Sequence, residues 1–309
     1  MTAWAGQVED YLCLRRVLGH ELAEAARLLP RFVAYLDEIG AEVITVEAAL
    51  AWAQQPPAGP GSVMPARRMA VVRGFARHMA GVDPRTQIPA TGLVPCRQRW
   101  RPPFIYSDAD VQALIAAVPR VVRSPLRIVT YQTLTGLLAA TGMRVGEALR
   151  LERGHLDWAE GMLTVHASKF GKSREVPLAA STRQALAAYA RTRDKHLPRP
   201  KTGAFFVSTT GTPVRYQRFG EAFRGFVQAS GVGAGSPVHP RIHDLRHSFA
   251  VHTLAGWYQA NQDVSALLPR LATYLGHCDP ASTYWYLSAA PELLALAAAR
   301  LQQAQQALP

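Results

Sequence analysis

ATGMRVGEALRL (residues 140–151) and SKFGKSREVPL (168–178) are the stretches from which the fold of this chain is read. The first lies in a long apolar helical region, 126–152, interrupted at Thr141-Gly142. The second joins two short β runs, 161–168 and 173–178, through Lys169-Phe170-Gly171-Lys172, the pattern of a hairpin. Downstream of it the apolar spacing predicts helices over 181–193, 215–229, 243–256, 266–276 and 289–306. The expected fold is mainly α with one small antiparallel β-sheet.

Upstream, Ser107-x-x-Asp110 is a capping signature ahead of VQALIAAV, and a second domain is expected from 104 to 309. Residues 83–105 hold five prolines and four arginines without clear periodicity, so 86–103 reads as an extended basic linker. A helix over 64–80 carries Arg67, Arg68, Arg73 and Arg77 at helical spacings, a cationic ridge able to lie along a phosphate backbone or to face solvent. Val8, Leu12, Leu14 and Leu18 recur near helical spacing, as do Leu28, Phe32, Tyr35, Leu36 and Ile39, stopped by Gly40. Thr45 can cap a short helix through Trp52. Residues 1–85 are therefore expected as a helical N-terminal domain.

The chain has 309 residues, enough for two cores, with 49% hydrophobic residues and mean hydropathy near zero. No apolar run reaches the ~18 residues of a membrane span, and MTAWAGQVEDYL carries acids where a signal peptide needs a basic start. Cys13, Cys96 and Cys278 are scattered, which suggests neither a disulfide framework nor a zinc cluster and fits a reducing cytoplasm. Net charge is +12, the balance of a protein that meets polyanions, nucleic acid foremost. Residues 1–63 hold four arginines against eight acids, whereas 64–101 hold eight arginines against Asp83 alone.

Two further islands complete the pattern: HDLRHSFAVHTL (243–254) and YLGHCDPASTYWYL (274–287). In this order the four islands resemble the tyrosine recombinase (phage integrase) family over roughly residues 104–290. The family segment T-G-x-R-x-x-E falls on Thr141 to Glu147, with Arg144 its arginine. Its hairpin lysine lies seven residues before the V-P-L ending, which selects Lys169 over Lys172. H-x-x-R falls on His243 and Arg246, and L-G-H on Leu275 to His277. The family nucleophile lies nine residues after that histidine, at Tyr286 rather than the neighbouring Tyr284.

The resemblance implies a site-specific DNA recombinase that cleaves and rejoins DNA through a 3′-phosphotyrosyl intermediate. Those residue types suit the chemistry. Two guanidiniums fork onto the oxygens of a phosphodiester and clamp its transition state, a task for Arg144 and Arg246. The Tyr286 phenol must lose a proton during attack, and His243 is the nearest acceptor by type. By resemblance Lys169 protonates the departing 5′ oxygen and His277 donates a hydrogen bond to the phosphate. Glu147, one turn after Arg144, can orient a catalytic side chain through an ion pair. Lys172 and Arg174, with the 64–80 arginines, are expected to touch DNA. The reaction needs neither metal nor any other cofactor.

The resemblance further implies duplex DNA with inverted half-sites, a homotetramer on DNA from monomers or weak dimers, a C-terminal helix that docks on a neighbouring protomer where it does not pack on its own domain, and partner recombinases. A nucleoid-associated place in a bacterial cytoplasm follows. The 31 residues from Arg246 to His277 exceed the interval of compact members, with the excess read as a loop insertion over 256–269. That favours a mobile-element role. Other readings are a type IB topoisomerase-like relaxation, a non-catalytic DNA-binding protein, and a metallohydrolase using His243, His247, His252 and His277. The last lacks the glutamate of a HExxH site, and Arg246 repels a dication.

Overall fold

The computed structural model of the chain describes residues 3–55, 59, 62–95, 102–166, 173–199, 201–277, 286 and 293. The chain divides into two compact units, Met1–Trp100 and Arg101–Pro309.

The first unit holds α1 (Ala3–Val17), α2 (Ala23–Glu38), α3 (Val46–Ala53) and α4 (Met64–Met79). Leu28, Leu29, Phe32, Val33 and Leu36 form the buried stripe of α2, and the chain then turns at Gly40, whose φ of 63° favours glycine. Thr45 caps α3, accepting from the Ala48 N–H at 3.1 Å. Met69, Val72, Phe75, Ala76 and Met79 complete the core from α4. In α1, Val8 and Leu12 are buried, but Leu14 and Leu18, expected on the same stripe, are 50% and 63% exposed.

The segment expected as a linker over 86–103 starts inside this unit. Gln87 donates its N–H to Ile44 (2.8 Å) and accepts at Oε1 from Val46 (2.9 Å). Arg73 donates to the Pro89 and Ala90 carbonyls at 2.8 and 2.9 Å. Proline removes a donor yet keeps its carbonyl, so a proline-rich stretch remains a good acceptor for a nearby guanidinium.

The second unit begins with α5 (Asp108–Val121), which carries the expected capping box: Ser107 and Asp110 bond each other's backbone N–H at 3.1 and 2.8 Å. Next come α6 (Pro125–Thr141), α7 (Val145–Leu149), β1 (Leu156–Asp157), β2 (Met162–Val165), β3 (Arg174–Pro177), α8 (Ala180–His196) and α9 (Tyr216–Ser230). The sheet order is β1-β2-β3, antiparallel throughout, with Leu156 opposite Leu163 and Val165 opposite Arg174. β1 was not expected. Two residues are too few to show alternation. Phe219, Phe223 and Phe226 bury one face of α9, each stabilising the core by roughly 1.5–3 kcal/mol.

A smaller apolar cluster joins α10 (Asp244–Gln259) to α11 (Val264–Leu275): Ala250, Val251, Leu254, Val264, Leu268, Leu271 and Leu275, with Tyr286 and Leu293 packed on them. The stretch 256–269, expected as an inserted loop, holds the last turn of α10, a short turn over 260–263 and the start of α11. Asp263 caps α11 by accepting from Ala266 (3.1 Å), and Val264 and Leu268 are drawn into the core. Leu293, from the segment expected to dock on a neighbour, is 1% exposed and packs on its own unit.

Candidate active site

Two helix ends build this site. α6 stops at Gly142 (φ 59°) and α11 at Gly276 (φ 68°), both left-handed caps that glycine adopts without strain. A helix C-terminus leaves carbonyls unpaired and carries partial negative charge, so it attracts cations. Here three successive carbonyls at the end of α11 each accept from a different arginine. Arg174 Nε reaches Tyr274 at 2.7 Å, Arg246 Nη2 reaches Leu275 at 2.6 Å, and Arg144 Nη2 reaches Gly276 at 3.0 Å. Arg246 Nη1 donates to the Gly142 carbonyl as well, at 2.9 Å. A Cβ on Gly142 would stand 2.5 Å from Phe249, so the cap also needs glycine for space.

Arg144 precedes the short α7, whose third residue is Glu147. Glu147 Oε2 accepts from the Arg144 backbone N–H (2.9 Å) and Oε1 from its Nη1 (2.8 Å). Arg174 adds Nη1 to Oε1 (3.2 Å) and Nη2 to Oε2 (2.8 Å). The Glu147 side chain is 1% exposed. Burial alone would raise its pKa, but the hydrogen bonds and charge of Arg174, then those of Arg144, prevail and hold it at about 2. Arg246 is buried too. Desolvation and repulsion from Arg144 pull its pKa down to about 10, still a cation at neutral pH. Three guanidiniums thus face one carboxylate, and the excess of two positive charges matches an in-line phosphoryl transition state.

Tyr286 is 2% exposed and packs on the α10–α11 cluster. Burial raises the phenol pKa; Arg246 and Arg144 oppose that rise. Its ring lies 5.5 Å from His247 and 6.1 Å from His277, nearly parallel to the latter. His247 in turn meets His243 edge-on at 4.7 Å. Desolvation lowers the pKa of all three imidazoles, to about 3 for His247 and about 4 for His277, and Arg246 adds to each shift. His247 and His277 flank the phenol ring, with His243 beyond His247, and a neutral imidazole can accept a proton. Among the described residues no cluster of three or more His, Cys, Asp or Glu is arranged to hold a metal.

Of the expected residues, Arg144, Glu147, Arg246, His243, His277 and Tyr286 meet here. Lys169, Lys172 and Tyr284 lie outside the described residues. Arg174, expected on DNA, is turned inward with a side chain 9% exposed, because a buried carboxylate and a helix-end carbonyl take its donors. Arg68 bonds the Ala53 and Gln55 carbonyls, and Arg73 is tied to Pro89 and Ala90; Arg67 and Arg77 stay exposed on α4. Sequence reasoning considered His247 only as a metal ligand. Its place one turn after His243 was the available signal.

Known proteins resemble this chain in sequence and in fold. The model of the phage integrase family matches residues 106–292. The chain is 41% identical to y4rB of Sinorhizobium fredii, named as an integrase/recombinase, over 98% of each chain. It is 33% identical to the tyrosine recombinase XerC of Azotobacter vinelandii over 72% of this chain and 68% of that one. In fold it is similar to the Tn1549 transposon integrase, solved with transposon right end DNA. That match has a TM-score of 0.64 at 14% identity and covers 96% of this chain and 98% of the other.

Proposed function

Because the chain belongs to the phage integrase family of tyrosine recombinases, enzymes of site-specific DNA recombination, we propose that Tyr286 is its nucleophile and that Arg144 and Arg246 grip the scissile phosphate. The observation that carries this reading is the buried Tyr286 ring lying 5.5 Å from His247 and 6.1 Å from His277, in the same unit in which Arg144 and Arg246 bond the carbonyls of Gly276 and Leu275. A phosphate entering there meets the forked donors of both arginines next to the attacking oxygen.

In the first step the phenol oxygen bonds to phosphorus, its proton passes to His243, and the 5′ oxygen leaves with a proton from Lys169. His277 donates to a nonbridging oxygen. A 3′-phosphotyrosine results, and attack by a 5′ hydroxyl reverses the step on the same or another strand. Each step exchanges one phosphodiester for another, so no ATP is consumed and the two guanidiniums neutralise charge without a metal. Arg67 and Arg77 extend the cationic surface on the N-terminal unit, which acts as a DNA-binding domain. The partner is duplex DNA with inverted half-sites, bound by four copies, as integration or transposition of a mobile element requires.

The test is covalent capture on nicked duplexes with randomised flanks, which lose the short 5′ strand after cleavage. Wild type and Tyr284→Phe form an adduct stable to denaturing electrophoresis, whereas Tyr286→Phe binds the same duplexes and forms none. An adduct from Tyr286→Phe, or its loss in Tyr284→Phe alone, overturns the assignment.

A further inference from the structure

We propose that Arg174 is a positioning residue for DNA cleavage, holding Glu147 and through it Arg144 in the phosphate-gripping pose. The proposal rests on Arg144 being a phosphate clamp. All three nitrogens of the Arg174 guanidinium point at inner partners: Nε at the Tyr274 carbonyl (2.7 Å), Nη1 and Nη2 at the two Glu147 oxygens (3.2 and 2.8 Å). Its side chain is 9% exposed, and a Cβ on Gly276 would stand 3.0 Å from Nη1, so the slot it fills is closed on that side too.

Each Glu147 oxygen is shared between the two arginines, with one donor from Arg174 and one from Arg144. This sharing sets the Arg144 pose. With Arg174 gone, the buried carboxylate has Arg144 as its only cationic partner among these contacts and draws that guanidinium into a two-pronged ion pair, which turns N–H groups away from the phosphate. Arg174 is also the first residue of β3, five residues after Lys169. One side chain therefore ties the base of the hairpin to the clamp and to the end of α11. A lysine keeps the charge but has no fork, so it cannot bridge both oxygens and the carbonyl at once.

The experiment is single-turnover cleavage of a nicked duplex enriched from the randomised pool, at saturating protein, with DNA affinity measured alongside. Arg174→Lys is expected to slow cleavage by about 10²-fold while leaving the half-saturating protein concentration near that of wild type. The double variant Arg174→Gln/Glu147→Gln is expected to cut no more slowly than the slower of Glu147→Gln and Arg174→Lys, because one linkage is lost in each. Arg174→Lys cutting within about twofold of wild type overturns the proposal, as does a loss confined to DNA affinity or a double-variant loss equal to the product of the single losses. Should Arg174→Lys fail to fold, the double variant, which buries two amides instead of a charge pair, decides alone. Cleavage at the Glu147→Gln rate supports the proposal, and a further tenfold loss or more defeats it. Arg144→Ala, run in parallel, tests the clamp separately: near-wild-type cleavage there removes the proposed function itself, whatever Arg174→Lys does.

Discussion

Replacing Glu147 by glutamine removes one charge from the most enclosed ion-pair network of the catalytic unit, and the effect on stability can be worked out. The carboxyl moves from an ordinary value of 4.5 to about 2 on folding. Each pKa unit is worth about 1.4 kcal/mol, so the ionised form stabilises the native protein by about 3 kcal/mol at neutral pH. With a side chain 1% exposed, solvent screening takes little from this. The folded pKa is depressed, so the stabilisation is complete above the unfolded pKa and is lost as pH falls through the folded value. Wild type should exceed Glu147→Gln by about 3 kcal/mol at pH 7 and by about 2 kcal/mol at pH 3.5. Urea unfolding of both proteins between pH 7 and 3.5, followed by circular dichroism, measures that difference directly. A gap below about 1 kcal/mol, or one that widens on acidification, refutes the account of how Arg174 and Arg144 hold this carboxylate.

Arg246→Lys keeps a cation but cannot serve two carbonyls and a phosphate together, so adduct formation should slow by about 10²-fold or more with DNA binding retained; a mild loss in single-turnover cleavage contradicts this. Gly142→Ala forces a left-handed φ of 59° on alanine and sets its Cβ 2.5 Å from Phe249. A loss of about 2–4 kcal/mol is expected in the urea midpoint, together with slower cleavage as the carbonyl shifts off Arg246. His247 has its pKa pulled from 6.5 to about 3, so the unfolded chain takes up a proton below pH 6.5 that the native one refuses. Acidification from pH 7 to 5 should cost about 2 kcal/mol through this residue, and His247→Gln should remove that slope while other titrations remain.

Much of the candidate site was legible through the family resemblance, whose motifs are short-range: Thr141-Gly142 before Arg144, His243 three residues before Arg246, Leu275-Gly276 before His277. Each combines a helix end with a side chain whose chemistry is distinctive. The helices over 64–80 and 215–229 followed from apolar spacing for the same reason, as did the caps at Thr45 and Ser107. The inward pose of Arg174 was not legible because an exposed and a buried arginine look alike in one dimension. Its partners, Glu147 and Tyr274, are 27 and 100 residues away. The main-chain partners of Arg68 and Arg73 were not legible either, since nothing local announces that a main-chain oxygen will claim a guanidinium. The 256–269 stretch was read as a loop insertion because the interval from Arg246 to His277 is long, and length alone does not tell a loop from longer helices. Gly256 sits inside α10 and Pro269 inside α11, where apolar burial outweighs their poor helix propensity.

Arg246 is aimed by the oxygens of Gly142 and Leu275, which belong to the peptide and not to any side chain. Every amino acid carries the same oxygen, so residues around the two helix ends can be exchanged widely while the guanidinium stays on target. A mutational scan of these helices should thus find tolerance at their exposed positions, and loss at the core positions and at the two glycines, where the main chain itself has no alternative. That pattern would let relatives drift far apart in sequence while still delivering charge to the same spot.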